Sequence, residues 1–172
     1  MIESERLKLI ACNKLHLETL LKGEKFLAEL LDVKLADGWL TFPEAPVNSL
    51  KRLEENSQNL RWGMHLFVHK ADNTLVGTGG YKGVPDDAGM VEIGYAVAPA
   101  YQNTGLATEA AKAMIANAFS WAAVNVVEAH TPAEENSSTS VLKKCGMKKI
   151  SEKHDPEDGD LWHWRIEREM GE

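Results

Sequence analysis

The segment Gln102-Asn103-Thr104-Gly105-Leu106-Ala107-Thr108 has the make-up of an anion-binding turn. Before it, Val91-Glu92-Ile93-Gly94-Tyr95-Ala96-Val97 is rich in β-branched and aromatic residues and ends just ahead of Pro99, which reads as a strand. After it, Ala107, Ala110, Ala111, Met114, Ala118 and Trp121 recur at helical spacing and predict a helix with one apolar stripe. A loop in that setting aims the first, unpaired N–H groups of the helix at whatever lies above them. They sit at the positive end of the helix dipole, so a phosphate suits the place. Gly105 removes the side chain that would keep an anion off the backbone. No lysine follows the glycine and no second glycine completes G-x-G-x-x-G, so the nucleoside-triphosphate and dinucleotide fingerprints are both missing. A strand–loop–helix with one glycine also occurs in α/β proteins that bind nothing there, so the junction alone is a candidate site.

The rest of the chain supplies the elements that must position this junction. Residues 6–11 alternate and predict a first strand. Asn13 caps a helix whose apolar residues are Leu15, Leu17, Leu20 and Leu21. A second helix is expected over 24–32, burying Phe26, Leu27, Leu30 and Leu31. Residues 37–46 read as a loop in which Trp39 and Phe42 either pack in the core or form a lid over a ligand. A third helix is expected from Asn48 or Ser49. Residues 64–69 and 74–81 flank an Asp72-Asn73 turn and predict a hairpin; a second turn over 83–89 leads into 91–97. A three-strand antiparallel meander therefore delivers the chain to the loop. Beyond the helix, residues 124–131 read as a strand parallel to 91–97 through a helical crossover. A short helix over 137–144 stops before Gly146, and 147–152 with 160–166 form a last pair of strands.

The totals exclude several classes. With 172 residues, 44% of them hydrophobic, the chain suits one globular domain with a real core. A net charge of −7 disfavours non-specific binding to nucleic acid or an anionic membrane and would suit a cationic substrate. Cys12 and Cys145 sit in apolar contexts and read as reduced thiols of a cytoplasmic protein; nothing has metal-ligand spacing. The first residues lack an apolar signal core, and no apolar run is long enough to span a bilayer.

Gln102 to Ala107 also fits Q/R-x-x-G-x-G/A, and after a strand reading V-E-I-G-Y it resembles the acetyl-CoA site of the GNAT N-acetyltransferase superfamily. A second stretch, Asn136-Ser137-Ser138-Thr139-Ser140-Val141-Leu142-Lys143-Lys144-Cys145-Gly146-Met147, is similar to the family's N-x-x-S-x-x-V-L-E-K-x-G-F/M block. It is most similar to the branch that acetylates N-termini of ribosomal proteins and related substrates. The order of elements matches over essentially the whole chain. The resemblance implies a GNAT acyl-CoA N-acyltransferase fold of the α/β (α+β) class, one domain over 1–172, with a mixed, mainly antiparallel sheet flanked by helices. There are departures. Counting back from Gly146, Ser138 falls on the family serine, but Glu135 takes the asparagine position and Asn136 comes one residue late. Ser140 stands where a basic residue is usual, and Leu142 where many members carry a tyrosine as general acid.

What the resemblance implies is transfer of an acetyl group from acetyl-CoA, the co-substrate, to a primary amine by direct attack in a ternary complex. The amine belongs to a protein N-terminus or a small molecule, and no metal is required. Backbone N–H groups of Asn103, Thr104, Gly105, Leu106 and Ala107, with Gln102 and the Thr108 hydroxyl, would hold the pyrophosphate. Ala96 and Val97 would offer a strand edge to the pantetheine where the two parallel strands splay, and Asn136 completes the cofactor set. The Val97 N–H is the candidate donor to the thioester oxygen. Glu92 is the candidate catalytic base, directly or through water, or else a brace for the sheet or the acceptor ammonium. Ser138 is the candidate to protonate or hydrogen-bond the leaving thiolate, or else a helix-start residue. Tyr95, on the opposite face from Glu92, reads with His130 and Cys145 as packing. The partner is the amine acceptor, without nucleic acid or membrane, and homodimers are common in the family. The competing class is a non-catalytic GNAT-fold module that binds acyl-CoA without turnover, which the missing tyrosine and Glu135 would suit; an unrelated nucleotide-binding α/β domain is the third.

Overall fold

The computed structural model describes residues 1–169, so the last three residues of the domain expected over 1–172 lie outside the described residues. In chain order the strands are β1 (Ile2–Glu3), β2 (Leu7–Ala11), β3 (Lys34–Leu35), β4 (Met64–His69), β5 (Thr74–Tyr81), β6 (Met90–Val97), β7 (Val126–Pro132), β8 (Lys148–Asp155) and β9 (Gly159–Glu167). They join in one sheet of order β1-β2-β4-β5-β6-β7-β9-β8, with β3 beside the start of β5. Only β3–β5 and β6–β7 pair in parallel, so the sheet is mixed and mainly antiparallel, as expected.

The helices are α1 (Lys14–Lys22), α2 (Glu24–Leu31), α3 (Ala45–Glu55), α4 (Leu106–Phe119) and α5 (Ser137–Lys144). α1 packs against α2 and α3, while α4 lies on β6, β1 and β2 beside α5. Asn13 caps α1: its side chain accepts from the His16 N–H, and the His16 ring accepts from the Asn13 N–H. α4 buries Leu106, Ala110, Ala111, Met114, Ile115 and Ala118, and small side chains along this stripe let it sit close to the sheet. The Tyr81 hydroxyl of β5 donates to the Met114 carbonyl at 2.5 Å and accepts from Asn117 at 3.0 Å, which fixes α4 along the strands.

The sequence pattern and the structure differ in three places. Trp121 lies past the end of α4, outside the buried stripe, and its ring carries the Arg61 guanidinium at 3.8 Å. α1 and α2 bury Leu17, Leu20 and Leu27, whereas Leu15, Leu21, Phe26 and Leu30 are exposed. Each of these short helices rests on its neighbours along one narrow stripe, so apolar residues off that line face out. α3 begins at Ala45, three residues before Asn48. Pro46 falls in its first turn, where a missing N–H costs nothing and the fixed φ is already helical. Of the two loop aromatics, Trp39 is buried and donates to Glu24 at 3.2 Å, and Phe42 is half exposed.

Candidate active site

The site is built on a sheet that comes apart. β6 and β7 share three register pairs, ending at Glu92↔Glu128, yet β6 runs on to Val97 and β7 to Pro132. Past Glu92 the strands diverge. Ala98 N–H donates to the Val76 carbonyl at 2.7 Å and Lys82 N–H to the Glu92 carbonyl at 2.9 Å, so the even-numbered residues make the β5–β6 bonds. Alternation therefore turns the backbone polar groups of Tyr95 and Val97 away from β5 and into the gap. Gln102 takes one of them: its Nε2 donates to the Val97 carbonyl at 3.0 Å. The Val97 N–H is left for a ligand.

One cavity, about 510 Å³, lies on the side of this gap where α4 begins. Its walls include Ala96, Val97, Gln102, Asn103, Gly105, Leu106, Ala107 and Thr108, together with Ser137, Ser138, Ser140 and Lys144 of α5. Asn103 (φ 60°) and Gly105 (φ 84°) are both left-handed, and asparagine and glycine are the residues that tolerate this. No side chain caps α4, so the N–H groups of its first turn keep their hydrogen-bonding capacity. The loop is clamped from behind. Arg6 donates from Nε to Glu109 at 2.8 Å and from Nη1 to the Thr104 carbonyl at 2.9 Å, and Glu109 also accepts from Ser4 and from the Arg6 N–H. A β-carbon on Gly105 would stand 3.3 Å from Arg6 Nη2. Partial burial opposes ionisation of Glu109, but the hydrogen bonds from Ser4 and Arg6 hold its carboxyl below the ordinary value. Open backbone donors, a helix N-terminus and the Lys144 ammonium fit the diphosphate of a coenzyme A.

A second cavity, about 480 Å³, opens on the side of α3 and meets the first at Phe42, Tyr95 and Ser138. Its polar lining combines the charged Glu44, Arg52 and Lys82 with His130, Asn48, Ser49 and Thr131. A smaller pocket of about 180 Å³ continues from it over Gly79 and Gly80. Glu92 lies behind this wall. It pairs with Lys82, and its Oε1 is 3.1 Å from His130 Nδ1. The His130 ring stacks on His163 with centroids 4.4 Å apart and planes 10° from parallel. His163 Nε2 is 2.7 Å from Glu128, a buried carboxylate that Arg165 also approaches at 3.4 Å.

The structure brings Ala96, Val97, Gln102, Asn103, Gly105, Leu106, Ala107, Thr108 and Ser138 to one cavity. Three other candidates stand outside its wall. Thr104 turns its hydroxyl to the Tyr101 carbonyl at 2.6 Å. Asn136 is the N-cap of α5, accepting from the Thr139 N–H at 3.0 Å. Glu92 is the third. Sequence reasoning read Tyr95 as packing; the residue lines all three cavities and its hydroxyl donates to the Ser138 carbonyl at 3.1 Å, and burial pushes its phenol up, so it stays protonated. Sequence reasoning passed over Lys144. The signal was present: Ser137, Ser140, Val141 and Lys144 recur at helical spacing and share the face of α5 that lines the cavity. Burial pushes the Cys145 thiol up to about 11, which keeps it from acting as a thiolate. Among the described residues no helix is long and apolar enough to cross a membrane.

A parallel strand pair that opens into a cleft, with bare helix N–H groups on one side and a charged pocket on the other, defines a transferase that takes its group from a coenzyme A thioester. The Acetyltransferase (GNAT) domain family matches residues 13–148, and the chain belongs to this family, whose members transfer acetyl from acetyl-CoA. It is 30% identical over 95 residues to the uncharacterized N-acetyltransferase YjdG of Bacillus subtilis (strain 168), a stretch covering 55% of this chain and 56% of that protein. The chain thus spans little more than half the length of that relative. Two solved structures share the fold. The ribosomal-protein-S5-alanine acetyltransferase of Vibrio fischeri is 17% identical, covering 99% of this chain and 97% of its own, with a TM-score of 0.71. A GNAT-family acetyltransferase of Bacillus anthracis is 21% identical, covering 96% and 97%, with a TM-score of 0.66.

Proposed function

We propose that the protein transfers the acetyl group of acetyl-CoA to a primary amine, carried by a protein N-terminus or a small molecule, held in the cavity between α3 and β7. The observation that carries this reading is the meeting of two cavities of similar size at Phe42, Tyr95 and Ser138. One is lined by backbone donors and the other by side chains, so a thioester and an acceptor can each reach the junction from their own side. Acetyl-CoA, when bound, supplies the activated acyl carbon. The first turn of α4 and Lys144 bind its diphosphate, and the free edge of Ala96 and Val97 receives its amide-bearing arm. The Val97 N–H points into the gap and donates to the carbonyl oxygen as charge develops there. The Ser138 hydroxyl, at the junction, hydrogen-bonds the departing sulfur. Leu142 has no proton to give, and Ser138 and the protonated Tyr95 are the hydroxyl-bearing residues that line both cavities.

The test is calorimetric titration with acetyl-CoA, with ATP as comparison, followed by an assay of free-thiol release with a panel of amines. Acetyl-CoA is expected to bind in the micromolar range, roughly −8 kcal/mol, with ATP ineffective. The panel should include peptides with free α-amines, polyamines and amino acids. Binding without thiol release for any amine would instead support a module that holds acyl-CoA without turning it over.

A further inference from the structure

We infer that His130 is the general base of the transfer, and that Glu92 acts through it as a positioning residue. This rests on the acetyl-transfer reading above.

An amine is protonated at neutral pH and must lose a proton before it can attack. A group that takes this proton has to face the acceptor. Glu92 does not: it is absent from the wall of the acceptor cavity, and its two oxygens are held by Lys82 and by His130 Nδ1. His130 is part of that wall. With Nδ1 against a carboxylate, the proton of the neutral imidazole belongs on Nδ1, which leaves the lone pair on Nε2. Nε2 has no hydrogen-bond partner among the described residues.

The stacked partner provides the contrast. His163 has both ring nitrogens engaged, Nε2 with Glu128 at 2.7 Å and Nδ1 with the Ser151 hydroxyl at 3.4 Å. It is a satisfied structural histidine. His130 is built in the same way on one side and left open on the other. The ring is also held: β7 fixes its base, Glu92 its Nδ1 edge and the His163 face its plane. That is the arrangement a base needs, an acceptor nitrogen with a fixed direction and a carboxylate to stabilise the charge it gains.

The step is a proton transfer. An N–H bond of the acceptor ammonium breaks and an Nε2–H bond forms, giving a neutral amine and an imidazolium. The imidazolium, paired with Glu92, returns its proton to water after the amide product leaves. The titratable and charged groups facing His130 are Glu92 from β6, Lys82 from the β5–β6 connection and His163 from β9, with Glu128 and Arg165 behind His163. Arg52 and Glu44 face it across the cavity.

The test uses an amine that the intact protein acetylates. His130→Gln keeps a donor toward Glu92 but cannot take the proton. Its kcat is expected to fall about 10²- to 10⁴-fold, with acetyl-CoA affinity unchanged. The acidic limb of kcat/KM against pH should be lost with it. His130→Gly should regain activity when imidazole is added. Glu92→Gln should lose kcat by a smaller factor, about 10- to 100-fold, with the KM for acetyl-CoA unchanged. A His130→Gln protein that keeps both its turnover and its acidic limb would overturn the inference. So would an intact protein whose kcat/KM has no acidic limb, a measurement that needs no variant. Absence of thiol release from the intact protein with every amine would overturn the transfer reading, and this inference with it.

Discussion

The two cavities that meet at Tyr95 and Ser138 are made differently. The coenzyme side is mostly backbone: a strand edge, a left-handed turn and a bare helix start, with residues 96–108 contributing most of it in one run. The proposed acceptor side draws its residues from α3 and the segment before it, the β5–β6 connection, β6, β7 and α5. Backbone donors recognise a diphosphate whatever side chains surround them, so one turn can serve any acceptor. Side chains gathered from five places can be exchanged one at a time without disturbing the turn. The geometry thus separates what is common to the reaction from what selects the amine.

That separation can be broken at several points. The largest effect is expected at Gly105→Val. A β-branched residue cannot hold φ 84°, and its side chain would meet Arg6 Nη2. Strain of about 1–3 kcal/mol falls on the turn that presents the donors, and acetyl-CoA affinity should drop by about 5- to 150-fold by calorimetry. Unchanged affinity would remove the loop from the coenzyme site. A smaller, paired effect compares two cations on opposite sides. Lys144→Ala should weaken acetyl-CoA binding by roughly threefold to tenfold, less at high salt, because one exposed charge facing a diphosphate is worth about 1 kcal/mol. Arg52→Ala should leave that affinity alone and raise the KM of the acceptor. If both variants moved the same constant, the division between the cavities would fail.

The smallest effect is a pH dependence behind the coenzyme loop. Glu109 ionises more readily when folded than when unfolded, because Ser4 and Arg6 donate to it. Its contribution to stability is therefore full above the ordinary carboxylate value and lost as pH falls through the lower folded one. Melting temperatures of the intact protein and Glu109→Gln should differ at pH 7 and converge only as pH falls below the ordinary carboxylate range.

The same contrast explains what could be read from the residues alone. The strand 91–97, the loop to Thr108 and the helix after it are contiguous, so glycine placement and periodicity were enough to read these elements. The meander, the parallel return strand and α5 were legible for the same reason. The acceptor wall was not. Lys82, Arg52 and His130 come together only when β6 and β7 part, and no spacing in the chain records that meeting. His130 looked like an ordinary residue near a strand end, because its partner Glu92 lies on another strand and its stacking partner His163 on a third. Trp121 misled in the other direction: it kept the helical spacing after the helix had stopped.

The three register pairs between β6 and β7 have a consequence for the molecule as a mechanical object. They are the strand pairing that joins one half of the sheet, β1–β6, to the other, β7–β9, and beyond them α5 bears on α4. A molecule lying in the cleft touches both halves at once, through the β6 edge and the α4 loop on one and α5 on the other. Its binding energy then opposes their parting and adds to the resistance against unfolding by mass action. On the proposed site, acetyl-CoA would serve as a temporary keystone, and each turnover would remove and replace part of what holds the two halves together.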